Sequence, residues 1–185
     1  TEVHIMADEF LYTSTTDIRA VPLIEALTIE YDTRYGNYFS DEGAAAEMNK
    51  YPPEAFAPPH GNFLLLLRDG QTIGGGAFMR YDDVTAEFKR IWTHSNLRRQ
   101  GLAKRVLEEL EAQAHRQGYK RVYLTTGFRQ PEAKELYLRN GYTALFDVSA
   151  DPEVYGTLPF EKSLHNIHEV DFHTVDNELK KAASG

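Results

Sequence analysis

The run Leu97-Arg98-Arg99-Gln100-Gly101-Leu102-Ala103-Lys104-Arg105-Val106-Leu107 constrains this chain more tightly than any other. A segment rich in β-branched and aromatic residues, Glu87 to Thr93, leads into a short polar turn that ends in Arg-x-x-Gly-x-Ala. An amphipathic helix pattern starts at once, with Leu102, Val106, Leu107, Leu110 and Ala114 on one face. A strand, a tight turn and a helix in that order leave backbone N–H groups without partners at the positive end of the helix. Small residues let an anion approach them and arginines flank it, so the pattern predicts a pyrophosphate cradle.

The rest of the chain supplies a frame for that turn. Its 185 residues are enough for one domain with a proper core. No apolar run approaches the length of a membrane span, and no basic-then-apolar segment opens the sequence, so a cytoplasmic protein without membrane contact is expected. Cysteine is absent, which removes thiol nucleophiles, disulfides and thiolate metal sites. A formal charge of −8 argues against nucleic acid as a partner and suits a basic or amine-bearing substrate.

Periodicity and turn residues give the order of elements. His4 to Thr13 reads as a first strand with Ile5, Phe10 and Tyr12 inward and breaks at Asp8-Glu9. Thr15-Thr16-Asp17 offers caps for a helix through Ile18 to Tyr31, with Pro22 in its first turn and Gly36 as C-cap. Asp41 to Lys50 reads as a shorter helix, stopped by Tyr51-Pro52-Pro53. Phe63 to Arg68 is a continuous apolar run, expected to be a strand buried on both faces, and Asp69-Gly70 signals a hairpin. The next strand, Thr72 to Tyr81, carries Gly74-Gly75-Gly76, which points to a bulge or a close backbone approach. Val84 to Thr93, the helix after the turn, a strand at Arg121 to Thr126 and a helix opened by Pro131 follow. Tyr142 to Phe146 and Thr157 to Leu164 complete the order β-α-α-β-β-β-α-β-α-β-β. It predicts an α/β (α+β) domain over residues 1–164, a mixed and mostly antiparallel sheet flanked by helices. Residues 165–185 form a tail expected to be mobile or packed on a partner.

A second motif, Ala133-Lys134-Glu135-Leu136-Tyr137-Leu138-Arg139-Asn140-Gly141-Tyr142, follows the first at a fixed distance. Together they make the run from Ala86 to Phe146 resemble the GCN5-related N-acetyltransferases, the GNAT superfamily, whose acyl-CoA motif Gln/Arg-x-x-Gly-x-Gly/Ala is matched by Arg98 to Ala103. The resemblance implies the acyl-CoA N-acyltransferase fold, with two parallel strands splayed at the CoA site, and acetyl-CoA as cosubstrate with no metal. The pyrophosphate would be held at Arg98, Arg99, Gln100, Gly101, Leu102, Ala103 and Lys104. The pantetheine arm would pair near Ile91, Trp92 and Thr93, with Gln130 and Ala133 closing the site. Backbone donors on that strand would hold the thioester carbonyl as charge gathers on it. The sequence departs from the family pattern at Gln130, where many members have Asn, and at Ser95, where a proline is common.

Two side chains carry the expected chemistry. Tyr137 matches the family's recurring tyrosine and is the candidate general acid for the departing thiolate; its other reading is a core tyrosine on an amphipathic face. Glu87 is the candidate base, since a primary amine titrates near 10 and must lose a proton before it attacks. It also reads as a solvent-facing residue, or as the partner of Lys89 or Arg90, because strict alternation would put Glu87, Lys89 and Ile91 on one face. The acceptor pocket is expected from the first two helices and their loop, where Asp32 or Glu30 would bind an ammonium, Tyr31, Tyr35 and Phe39 would frame it and Arg34 would meet a substrate carboxylate.

An N-acetyltransferase for the primary amine of a small molecule, amino-acid-like or another amine, follows, by direct attack in a ternary complex. A peptide or protein acetyltransferase and a non-catalytic acyl-CoA-binding regulatory module are the alternatives. A homodimer is expected only by analogy, through the last strands and the tail. His165, His168, Glu169, Asp171 and His173 have metal-like spacing but few apolar residues to fix a geometry.

Overall fold

The computed structural model describes residues 7–164, so Ile5 and the tail histidines lie outside the described residues. Among these residues seven strands form one sheet: β1 (Asp8–Tyr12), β2 (Asn62–Arg68), β3 (Gln71–Arg80), β4 (Thr85–Thr93), β5 (Arg121–Gly127), β6 (Thr143–Ala144) and β7 (Thr157–Ser163). Their order is β1-β2-β3-β4-β5-β7-β6. All neighbours are antiparallel except β4 and β5. Among the described residues four α-helices cover the sheet: α1 (Val21–Tyr35), α2 (Gly43–Met48), α3 (Leu102–Arg116) and α4 (Pro131–Arg139). The expected mixed sheet and element order are therefore present, with shorter ends. Among the described residues no helix is long and apolar enough to cross a membrane.

β2 shows why the sheet is buried on both sides. Leu64 and Leu66 join a core with Val106, Leu107 and Leu110 of α3, while Phe63, Leu65 and Leu67 join a second core with Leu23 of α1. Each face is thus fully apolar, as a central strand between two helical layers requires. The Asp69-Gly70 turn that returns the chain has both residues at positive φ, +50° and +80°, the geometry of a two-residue hairpin.

Several boundaries differ from the sequence reading. Asp17 does cap, but it caps a single 3₁₀ turn, Ile18–Ala20, by accepting from Arg19 N–H at 2.8 Å; α1 begins after it with Pro22 in its first turn. Asp8 and Glu9 are not strand breaks. Asp8 lies in β1 because Arg68 of β2 and Arg105 of α3 neutralise it, at 2.7 and 2.8 Å. The strand expected at Tyr142 to Phe146 is two residues long, and α2 spans Gly43–Met48 rather than Asp41 to Lys50.

The largest correction concerns β4. Gly75 pairs with Trp92 and Ala77 with Lys89, so β4 carries one residue more than β3 across that interval. The extra residue forms a bulge at Arg90, whose φ is +60°. The bulge inverts the alternation: Ala86, Phe88 and Ile91 pack on the α3 side, while Trp92 joins the core under α1. Glu87 and Ile91 therefore do not share a face.

β4 and β5 pair only from Thr85–Arg121 to Phe88–Leu124. Beyond Phe88 they part, although β4 continues to Thr93 and β5 to Gly127. The sheet is split at its centre, next to the bulge.

Candidate active site

A cleft of about 760 Å³ opens where β4 and β5 separate. Of the expected site residues, α1 contributes Tyr31, Arg34 and Tyr35, and β4 contributes Glu87 and Ile91. Gln130, Ala133 and Tyr137 come from the start and face of α4. One wall thus belongs to the α1 layer and the other to the α4 layer, and the split in the sheet joins them.

Tyr137 is packed between the rings of Tyr142 and Phe160, at 5.6 and 5.4 Å. It is 7% exposed, and among the described residues its hydroxyl has no hydrogen-bond partner. Burial pushes the phenol above its ordinary range, so it carries its proton at neutral pH. A protonated hydroxyl with a free lone pair and a free proton at the floor of a cleft can act as a donor. Behind it, Tyr142 donates to Glu111 at 2.8 Å, and Lys162 meets the same carboxylate at 2.9 Å.

Glu87 lies on the opposite wall. Its carboxylate is 3.3 Å from Lys89 Nζ, which also sits 5.0 Å from the centre of the Tyr51 ring. The two alternatives for Glu87 are thus both visible: it lines the cleft and it has a lysine partner.

Other expected residues are engaged elsewhere. Arg34 is bonded to Glu132, to Glu30 at 3.2 Å and to the Arg129 carbonyl at 2.7 Å, so its fork is spent tying α1 to α4. Tyr35 is 6% exposed and donates to Gln130 Oε1 at 3.1 Å. That same Gln130 oxygen accepts from Thr126 Oγ1 and from Gly127 N–H, each at 3.1 Å, which holds the turn between β5 and α4. Asp32 is exposed and does not line the cleft.

The turn after β4 lies beyond the cleft lining. Gly101 is the N-cap of α3, at φ +72°, and no side chain caps it. The first bond of the helix runs from Arg105 N–H to the Gly101 carbonyl at 3.1 Å. The N–H groups of Leu102, Ala103 and Lys104 are consequently unused by the helix, at its positive end. A Cβ on Gly101 would meet nothing within 4 Å, so the turn is open to a ligand. Arg98, Arg99 and Gln100 are exposed around it. On β4, His94 N–H is spent on the Ile73 carbonyl at 2.8 Å. Alternation therefore aims the backbone of Thr93 and Ile91 away from β3, into the split, and that of Trp92 toward β3. The Trp92 side chain is buried in the second core.

Sequence reasoning passed over Arg90 and the α2 wall of the cleft, including Met48 and Tyr51. A signal was there. Lys89 and Arg90 are adjacent charges in a strand with an apolar core on either side. Both can reach one face only if the strand bulges between its two halves.

A split between parallel strands, an uncapped helix start in line with one of them and a tyrosine on the next helix match a known arrangement. The model of the acetyltransferase (GNAT) family matches residues 23–142. The chain belongs to the GNAT family.

Solved structures agree. A protein of Klebsiella pneumoniae taken to be an acyl-CoA N-acyltransferase superposes with a TM-score of 0.65 at 25% identity, over 85% of this chain and 97% of that one. The PaiA N-acetyltransferase of Thermoplasma acidophilum, solved with coenzyme A, gives 0.64 at 19% identity, over 85% and 99%. A GNAT acetyltransferase of Elizabethkingia anophelis with acetyl-CoA bound gives 0.58 at 15% identity, over 84% and 97%. No curated sequence matches the chain. GNAT membership makes this protein an acyl-CoA-dependent N-acyltransferase.

Proposed function

We propose that this GNAT protein moves an acetyl group from acetyl-CoA to the primary amine of a small, amino-acid-like acceptor. The observation that carries the reading is the alignment of two anion and carbonyl sites along one path. The uncapped start of α3 suits a pyrophosphate, and the outward backbone of Thr93 and Ile91 suits a pantetheine arm and a thioester carbonyl. The residues present therefore fit the donor: Arg98 to Lys104 at its phosphates, Ile91 and Thr93 along its arm, Ala133 and Tyr137 near its sulfur.

Acetyl-CoA brings an activated acyl carbon and a thiolate leaving group. The chain's own residues do the rest. Glu87 draws the acceptor's ammonium into the cleft and assists loss of its proton. The freed amine attacks the acyl carbon, the new C–N bond replaces the C–S bond, and the proton from nitrogen leaves through the base. Tyr137 donates its proton, or a hydrogen bond, to the departing sulfur. The N–H groups of β4 hold the acyl oxygen while charge gathers there. With no cysteine in the chain, a cysteinyl acyl-enzyme cannot form, and this reading has the amine attack the thioester itself.

The cleft favours a small acceptor over a peptide. Its volume is of ligand-pocket size, and Tyr31, Tyr35 and Phe39 line its α1 side. The test is acetyl-CoA turnover, followed by thiol release, across amino acids, polyamines, aminoglycosides and peptides. Acceleration by small amines supports the reading; acceleration by peptides alone moves the acceptor to that class. Tight CoA binding with no acceleration by any amine leaves a binding module and overturns the catalytic reading.

A further inference from the structure

We propose that Arg90 receives a carboxylate of the acceptor, so that the amine acetylated here belongs to a molecule bearing an acid group. The proposal rests on the acetyl-transfer reading and names the acceptor's second anchor.

Arg90 sits at the bulge of β4, and its side chain lines the cleft beside Met48 and Tyr51. It is held from two sides. One terminal nitrogen donates to the Met48 carbonyl at 3.0 Å and the other to the Met48 Sδ at 2.7 Å, while the guanidinium lies 5.3 Å from the Phe56 ring centre. A guanidinium has five N–H donors. Two are used, one of them on a thioether, which is a weak acceptor.

Six arginines, Arg19, Arg34, Arg68, Arg80, Arg105 and Arg116, are each bonded to a carboxylate. Arg98, Arg99, Arg121, Arg129 and Arg139 show no such bond among the described residues, but they are exposed to water and Arg90 is not. Arg90 is bonded to none among the described residues, although burial alone depresses its pKa and Glu47 acts on it only across space. A desolvated cation without a bonded counter-ion is costly unless a ligand supplies one. Met48 and Phe56 fix the planar fork in advance, so a carboxylate would lose little freedom in meeting its open edge. Arg34 cannot serve this purpose without leaving Glu132 and Glu30.

The cleft carries other charges. Lys89 is paired with Glu87, Glu30 with Arg34, and Lys50 lies 5.5 Å from the Tyr51 ring centre, while Glu42 and Glu47 also line the cleft and offer an acceptor's ammonium further carboxylates. Glu87 and Arg90 are three residues apart on β4, which puts an amine site and an acid site roughly 10 Å apart at the backbone, a gap two long side chains can narrow.

The first experiment uses the unaltered protein. Glycine, β-alanine, 4-aminobutyrate, 6-aminohexanoate and phenylalanine are compared with their carboxamides as acetyl acceptors. The expected result is that the best acid loses at least about tenfold in kcat/KM on conversion to its amide, mostly through KM. Equal turnover of acid and amide overturns the Arg90 proposal and leaves acetyl transfer standing. If no amine is turned over, the CoA-loaded protein is titrated calorimetrically with N-acetylglycine and N-acetylphenylalanine against their amides. Heat with the acids alone supports the carboxylate site; no difference overturns it. Arg90→Gln is then expected to raise KM for acids at least about tenfold, with KM for amides and for acetyl-CoA within about twofold. An equal loss for acids and amides assigns Arg90 to holding α2 and overturns the proposal.

Discussion

The hydroxyl of Tyr35, at the end of α1, donates to the side-chain oxygen of Gln130, at the start of α4, across 3.1 Å. The two residues lie far apart in the chain, and their contact closes one side of the cleft. The same Tyr35 oxygen accepts from Arg129 N–H at 3.2 Å. Gly127 makes this fit possible, since a Cβ there would stand 1.9 Å from the Tyr35 oxygen. Tyr35→Phe removes both bonds and is expected to cost roughly 1–2 kcal/mol, lowering Tm by about 3–6 °C for a chain of this size. Gly127→Ala forces Tyr35 out and is expected to cost about 1–3 kcal/mol. Thermal unfolding measures both, and an unchanged Tm in both variants removes the clamp.

Tyr137→Phe separates a catalytic hydroxyl from a packed ring. The hydroxyl has no partner to lose, so Tm should hold or rise slightly. Turnover should fall roughly 10²-fold, with KM for acetyl-CoA little changed. Steady-state kinetics decide; an unchanged kcat makes Tyr137 a core residue only.

Asp8 predicts a pH dependence. Its hydrogen bonds to Arg68 and then Arg105 hold its carboxyl well below the usual range. The folded state therefore binds this proton less tightly than the unfolded chain. Its stabilising contribution is present above the ordinary carboxylate range and is lost as pH falls through the folded pKa. Asp8→Asn should be less stable than the parent at neutral pH, and the gap should narrow in acid. Denaturant unfolding at several pH values measures it; a gap that widens in acid contradicts the assignment.

Glu111 has the opposite sign. Burial raises its pKa, against the pull of Lys162. Its folded-state advantage is full below the unfolded pKa and disappears as pH rises through the folded one. Lys162→Met strands a buried carboxylate and should cost about 3 kcal/mol near neutrality, shrinking as acid protonates Glu111. A pH-independent loss in urea titrations would mean the carboxylate is not the cause.

Gly101→Ala tests the cradle. The left-handed backbone at φ +72° makes alanine unfavourable by about 1 kcal/mol. KM for acetyl-CoA should rise while kcat stays near the parent value. A KM unchanged in initial-rate measurements would place the pyrophosphate elsewhere.

The frame was legible because its signals are local. Leu102, Val106, Leu107, Leu110 and Ala114 repeat with helical spacing, and they form the buried face of α3. The Asp69-Gly70 hairpin and the Gly36 cap follow from turn chemistry that two residues carry alone. The site was legible only in part, because its details depend on pairing between strands. The bulge at Arg90 is a mismatch of register with β3, and within β4 the adjacent charges of Lys89 and Arg90 are a sign of it too slight to place it without the partner strand. The occupation of Arg34 by Glu132, and of Gln130 by Tyr35, joins residues that only the folded sheet brings together.

The bulge leaves β4 as two rulers laid end to end, half a period out of step. A substitution tolerated at an even position before Arg90 obeys the rules of an odd position after it. In a saturation scan of Thr85 to Thr93, the preference for apolar residues should change phase at that point. Deleting one residue there would not shorten the strand so much as exchange Ile91 and Trp92 between the two cores. The sheet would then have to choose which of its halves to keep.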